Sequence, residues 1–170
     1  MVFKIIINMT KIKDMELNLE FANRNSENEK AMAYNKELYG NNKMNDHRLK
    51  ECPESPNCVS TRTQQKSKRM DPIPFELDPE EVRKVIKGVV ESLPNTHLEK
   101  ESTHYLHYTF KSKIFGFTDD VEFLIDGEQK LIHFRSASRS GYSDLGVNKK
   151  RMTEIAKSIN QGMKNRTTSQ

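Results

Sequence analysis

The sequence predicts an α+β fold, in which about four antiparallel strands form one sheet and two helices, placed before and after them in the chain, pack on one face. Three observations carry this expectation. Apolar residues recur at three-to-four spacing over 82–93 and again over 152–163, as they do on helices with one buried side. Between those stretches, apolar and polar residues alternate in runs, the mark of half-buried strands. The connections between runs are too short for a crossover, so neighbouring strands must run antiparallel.

Asp78 starts the first helix as N-cap, with Pro79 at the first helical position and Glu81 completing a capping-box-like start. Val82, Val85, Ile86, Val89, Val90 and Leu93 form its buried stripe, and Pro94 ends it. The first strand pattern, Thr96 to Lys100, is short and weakly apolar. From His104 to Ser112, Leu106, Tyr108 and Phe110 point one way, and His107, Thr109 and Lys111 the other. Phe117 to Ile125 sets Val121, Phe123 and Ile125 against Asp120, Glu122 and Leu124, while Lys130 to Ser138 sets Ile132 and Phe134 against His133 and Arg135. Asp126-Gly127 between these two runs is a hairpin signal. The second helix, near Asn148 to Met163, gathers Met152, Ile155, Ala156, Ile159 and Met163 on one side.

Three regions surround or precede this pattern. Residues 1–48 are rich in Asn, Lys and Glu and poor in aromatics, a composition that cannot offset chain entropy by burial, so a flexible tail is expected. Within it, Ser26 and Glu29 fit a capping box for a short helix reaching Leu38. The single domain is expected over 49–163, and 164–170 is expected to be disordered. CPESPNCVS, at 52–60, reads as a stiff loop because Pro53 and Pro56 restrict its backbone.

The 170 residues carry a net charge of +4 and no Trp. That charge is too small and too scattered to point to nucleic acid. The apolar run from Met1 to Met9 is broken by Lys4 and followed by Lys11, Lys13 and Asp14. A secretory leader needs roughly 7–15 apolar residues and a small-residue cleavage site, so neither leader nor transmembrane segment is expected, and the location expected is cytoplasmic.

Parity then defines a candidate site. If Val121, Phe123, Ile132 and Phe134 face the helices, then Asp120, Glu122, His133 and Arg135 share the opposite face. A loop of four residues, Asp126 to Gln129, would set Glu122 across from His133 and Asp120 across from Arg135. His107, Thr109 and Lys111 join them, while Asp119 falls on the helix side. Such a face is either an ordinary solvated surface of cross-strand ion pairs or a site whose carboxylates and imidazoles act as acid, base or ligand clamp. The segment Ser136 to Asp144, with Arg135 and Arg139 beside it, is a candidate anion cradle: Arg135, Ser136, Ser138, Arg139 and Asp144 would bind the ligand. Its first reading, however, is an ordinary serine-rich turn in which Asp144 caps the helix. The phosphate-loop, dinucleotide and nucleophile-elbow motifs are all missing, and no cofactor or metal is expected. Cys52 and Cys58 stand open to three readings: free thiols, a small-loop disulfide, or metal ligands.

The stretches CPESPNCVS (52–60), FGFTDDVEF (115–123) and HFRSASRSGYSDLGVNKKR (133–151) resemble domain-of-unknown-function family 1499, found in bacteria and plants. The resemblance covers about residues 49–160. It implies that this segment is one domain, and many members of the family carry membrane or export signals ahead of it. It names no reaction. Two functions follow as expectations. One is a small binding domain that holds an anionic small molecule or a protein partner. The alternative is a hydrolytic enzyme whose catalytic candidates are Asp120, Glu122, His133 and Cys58, with Arg135 as a clamp.

Overall fold

The structure is a computed structural model, and it describes residues 49–112 and 116–168. The tail expected over 1–48, with its short helix, lies outside the described residues. In chain order the elements are β1 (Cys58–Ser60), a 3₁₀ turn (Lys66–Lys68), β2 (Ile73–Pro74), α1 (Pro79–Glu91), β3 (Thr96–Glu101), β4 (Tyr105–Lys111), β5 (Thr118–Asp126), β6 (Leu131–Ser138) and α2 (Val147–Thr167).

The α+β class holds, with a sheet of six strands rather than about four. Its order is β1-β6-β5-β4-β3, all antiparallel, and β2 pairs with the same edge of β6 as β1. The two extra strands are short: β1 lies in the segment expected to be a stiff loop, and β2 in a stretch for which the sequence predicts no element. Cys58, Val59 and Ser60 pair with Ala137, Ser136 and Arg135, and Ile73 and Pro74 pair with Ile132 and Leu131. Strands of two or three residues leave no periodicity to read, because alternation needs several residues to show.

α1 begins as expected: Asp78 accepts the backbone N–H of Glu80 at 2.9 Å, and Pro79 follows it. The reciprocal half of a capping box is absent, because Glu81 pairs with Lys84 and Arg166 instead. α2 runs further than expected, to Thr167, into the segment 164–170 for which disorder is expected from sequence. Arg166 reaches Glu81 on α1, and this ion pair joins the ends of the two helices.

Both helices cover one face of the sheet. Val82, Ile86 and Val90 of α1 and Met152, Ile155 and Ile159 of α2 form one core with Leu106, Tyr108, Val121, Phe123, Ile132 and Phe134. Eleven of these twelve are completely sealed from solvent and the twelfth, Ile155, almost completely, so the burial that stabilises the fold is concentrated in this layer. The face assignments made by parity are therefore those observed.

Candidate functional site

The hairpin joining β5 and β6 sets what faces what. Asp126 remains in the strand, opposite Leu131, and its Oδ1 accepts the N–H groups of Glu128 and Gln129 at 3.2 and 2.9 Å. Lys130 closes the turn with a φ of 56°. The loop is thus Gly127 to Lys130, one residue later than expected. Register shifts by two: Glu122 lies opposite Arg135, not His133, and Asp120 lies opposite Ala137, not Arg135. A shift of two keeps every side chain on its expected face.

Three rows cross the face opposite the helices. Thr109, Asp120, Ala137 and Cys58 form one; His107, Glu122, Arg135 and Ser60 the next; Tyr105, Leu124 and His133 the third. Two clusters bridge these rows. In the first, Asp120 Oδ1 lies 2.7 Å from His107 Nε2, and Arg139 donates to the same carboxylate from Nε and Nη2. Burial alone would raise the Asp120 pKa, but the bonds from Arg139 and His107 outweigh it and hold the carboxyl below its ordinary range. In the second, Glu122 accepts the Tyr105 hydroxyl at 2.6 Å on one oxygen and Arg135 Nη1 at 3.0 Å on the other. Burial, then the Glu122 carboxylate, pushes the Tyr105 phenol far above its usual value, so it stays a protonated donor.

His133 stands apart from both carboxylates. Its Nδ1 lies 3.1 Å from the Thr61 hydroxyl, and burial, aided by the Arg62 charge and opposed by Asp126, lowers its pKa. Its Nε2 is buried and has no hydrogen-bond partner among the described residues, and the same is true of Arg135 Nε. Buried polar atoms are nearly always paired, so two orphans on one strand face mark an unmet need for an acceptor or a donor.

Cys52 and Cys58 form a disulfide. Of the three readings left open, the small-loop disulfide is the one found, and Cys58 has no thiolate to offer as a nucleophile. The bridge packs on Ala137 at one side of the polar face. Its loop is held from outside by Gln65, whose side chain donates to Cys52 O at 2.7 Å, and by Lys68, which bonds Pro53 O. Asn57 ties the other end to Gly141 O at 2.6 Å.

The expected anion cradle is divided by the same parity that built the sheet. Arg135 and Arg139 lie with the polar face, whereas Ser136 and Ser138 turn toward α2. There Asn148 accepts the Ser136 hydroxyl, donates to Ser138 Oγ at 3.2 Å, and donates to Asn57 O at 3.1 Å. Arg151 joins them, donating to Asn148 Oδ1 at 2.8 Å and to Asp119 at 2.5 Å while its guanidinium lies over the Phe110 ring. Asp144 caps the helix, accepting the N–H groups of Gly146 and Asn148. Sequence reasoning missed Tyr105, Asn148 and Arg151. Tyr105 was visible by parity, two residues before His107. The other two were foreshadowed only by a serine, Ser136, at a helix-facing position.

A family model described as "Protein of unknown function (DUF1499)" matches residues 48–159, and the chain belongs to that family. No curated protein matches the chain.

Proposed function

We propose that this domain is a binding module that takes an anionic group, such as a carboxylate or phosphate of a small molecule or protein partner, against the sheet face opposite its helices. The observation that carries this reading is Arg135. Its guanidinium is largely buried, yet it bonds only Glu122, through Nη1, and its Nε is without a partner among the described residues. An arginine fork that uses so few of its donors is suited to a bidentate oxyanion. His133 Nε2, two residues along the same face, becomes a second donor when the Thr61 hydroxyl donates to Nδ1. Arg139 adds an exposed cation at the rim. The reading retains Arg135 and Arg139 from the residues expected to bind and gives Ser136, Ser138 and Asp144 a structural role.

Hydrolysis by Asp120, Glu122, His133 and Cys58 has less to support it. Asp120 is held ionised below its usual range, which makes it a poor general base near neutral pH. Cys58 is bridged, and His133 touches neither carboxylate. The disulfide also favours an oxidising compartment over the cytoplasmic location expected from sequence, since cytosolic thiols are kept reduced. Among the described residues, no helix is long and apolar enough to cross a membrane.

Thermal-shift titration with inorganic phosphate, sulfate and small carboxylates tests the reading. An anion present at a hundredfold excess over its Kd stabilises the folded chain by about 2.7 kcal/mol. Arg135→Lys, which keeps the charge but loses the fork, should abolish that stabilisation, and Arg139→Ala should weaken it. A panel that leaves the wild type unmoved, or that stabilises Arg135→Lys equally, would refute it.

A further inference from the structure

A second surface lies on the loop between β6 and α2. Of the four exposed large apolar side chains among the described residues, three belong to residues 142–147: Tyr142 at 78%, Leu145 at 95% and Val147 at 50%. The fourth, Phe117, sits beside this loop, because Arg139 N–H bonds Thr118 O at 2.9 Å. We propose that Tyr142, Leu145 and Val147 form a lipid-inserting tip that docks the domain peripherally on an anionic membrane surface.

The tip is built rather than slack. Asp144 fixes it by accepting two backbone N–H groups, those of Gly146 and Asn148, while Gly141 and Gly146 supply the positive φ angles that the turn needs. Leu145 itself holds a φ of 53°. Glycine or asparagine suits that left-handed region, and a γ-branched apolar residue there gains no packing in return for its strain. Its side chain stands almost wholly in solvent, so the apolar character has no role inside the fold.

Charge identifies the occupant. Lys149 and Lys150 follow the tip directly, are exposed, and form no ion pair among the described residues. Asp144, the carboxylate within the tip, spends its oxygens on the backbone, and Glu154, one turn on from Lys150, forms no ion pair with it. Apolar side chains with a tyrosine, bordered by lysines, match the layering of a bilayer interface: acyl chains below, phosphates at the lysine level, the phenol between them. Three side chains on one projecting loop are too few for a stable protein interface, which covers about 800 Å² on each partner.

Co-sedimentation of the full chain with vesicles decides the matter. Wild type should bind phosphatidylcholine–phosphatidylglycerol vesicles, lose binding as salt is raised, and bind pure phosphatidylcholine weakly. Leu145→Glu, and separately Lys149→Glu with Lys150→Glu, should weaken binding by about tenfold or more, in line with the loss of inserted apolar area or of basic charge. Because these residues are exposed, both variants should melt like wild type, which separates loss of docking from loss of fold. The chain has no Trp, so Leu145→Trp provides a single tryptophan, excited selectively over the tyrosines, whose emission should shift to the blue on vesicle addition. Wild type that fails to sediment, or Leu145→Glu that binds equally well, would overturn the proposal. So would a Leu145→Trp emission that is already blue without lipid and depends on protein concentration, because another copy would then cover the tip.

Discussion

Asn148 shows how much one side chain organises. It is completely buried in the first turn of α2, and its amide uses both of its ends: the oxygen accepts from Ser136 and Arg151, and the nitrogen donates to Asn57 O and Ser138. That set joins the disulfide loop, the last strand and the second helix through one residue. Asn148→Ala would strip the Ser136 hydroxyl of its acceptor while the Asn57 carbonyl keeps the Ser138 N–H, so one buried donor is orphaned at roughly 1–3 kcal/mol and each other lost bond costs about 1 kcal/mol. We expect Asn148→Ala to lower unfolding free energy by about 2–4 kcal/mol in urea, with the slope against denaturant unchanged. A loss below about 0.5 kcal/mol, the size usual for a surface change, would show that water replaces the amide and that the network is not structural. Of the two readings of this segment, anion cradle and serine-rich turn, the hydrogen bonds of Ser136 and Ser138 fit the second. Ser136 and Ser138 looked like ligand hydroxyls because nothing local reveals that their partner is an asparagine on the following helix.

The helices also make a prediction. A methyl group added at Gly162 on α2 would come within 2.9 Å of Val85 Cγ1 on α1, whereas one added at Gly88 on α1 would meet nothing within 4 Å. Replacing glycine by alanine in a helix interior gains about 0.8–1 kcal/mol, so Gly88→Ala should stabilise by nearly that amount. At Gly162 the stiff β-branched Val85 must move, and overpacking of this kind costs about 1–3 kcal/mol, which cancels or exceeds the gain. Chemical denaturation of the two variants should therefore give opposite signs, or a clear stabilisation at Gly88 alone; equal stabilisation would mean that the helices do not approach this closely. Elements with long periodic patterns were legible: α1, α2 and β4 to β6 all follow from apolar spacing. The register of β5 against β6 was not, because it depends on which residue closes the turn, and Lys130 gives no sign in sequence of adopting a positive φ. β1 and β2 were hidden for a simpler reason. Two- and three-residue strands exist only because β6 presents an edge to them.

For the molecule as a whole, the groups whose shifts bear on acid stability share one sign. Burial lowers the pKa of His133 and of His104 below the ordinary 6.5, so both resist protonation in the folded chain. In the unfolded chain they protonate near that ordinary value. Above about pH 6.5 both states are neutral and stability is unaffected; as pH falls below it, the unfolded chain takes up protons that the folded one refuses, and stability is lost until the lowered folded pKa values are reached. Asp120 acts in the same direction at lower pH, because its depressed pKa stabilises the fold above about 3.8, a contribution lost on acidification. The domain should therefore be most stable at neutral pH and weaken in two stages, first below about pH 6.5 through the histidines and then, below about pH 3.8, through the carboxylate. Each histidine can contribute a slope of at most about 1.4 kcal/mol per pH unit. Melting temperatures of wild type and His133→Gln, followed from about pH 8 down to about pH 2, check this. The variant should show a shallower fall through the first stage and the same fall through the second. Parallel curves would mean that His133 gains a partner for its buried Nε2 once protonated, and that the orphaned atom on the polar face is satisfied from within the fold rather than waiting for a ligand.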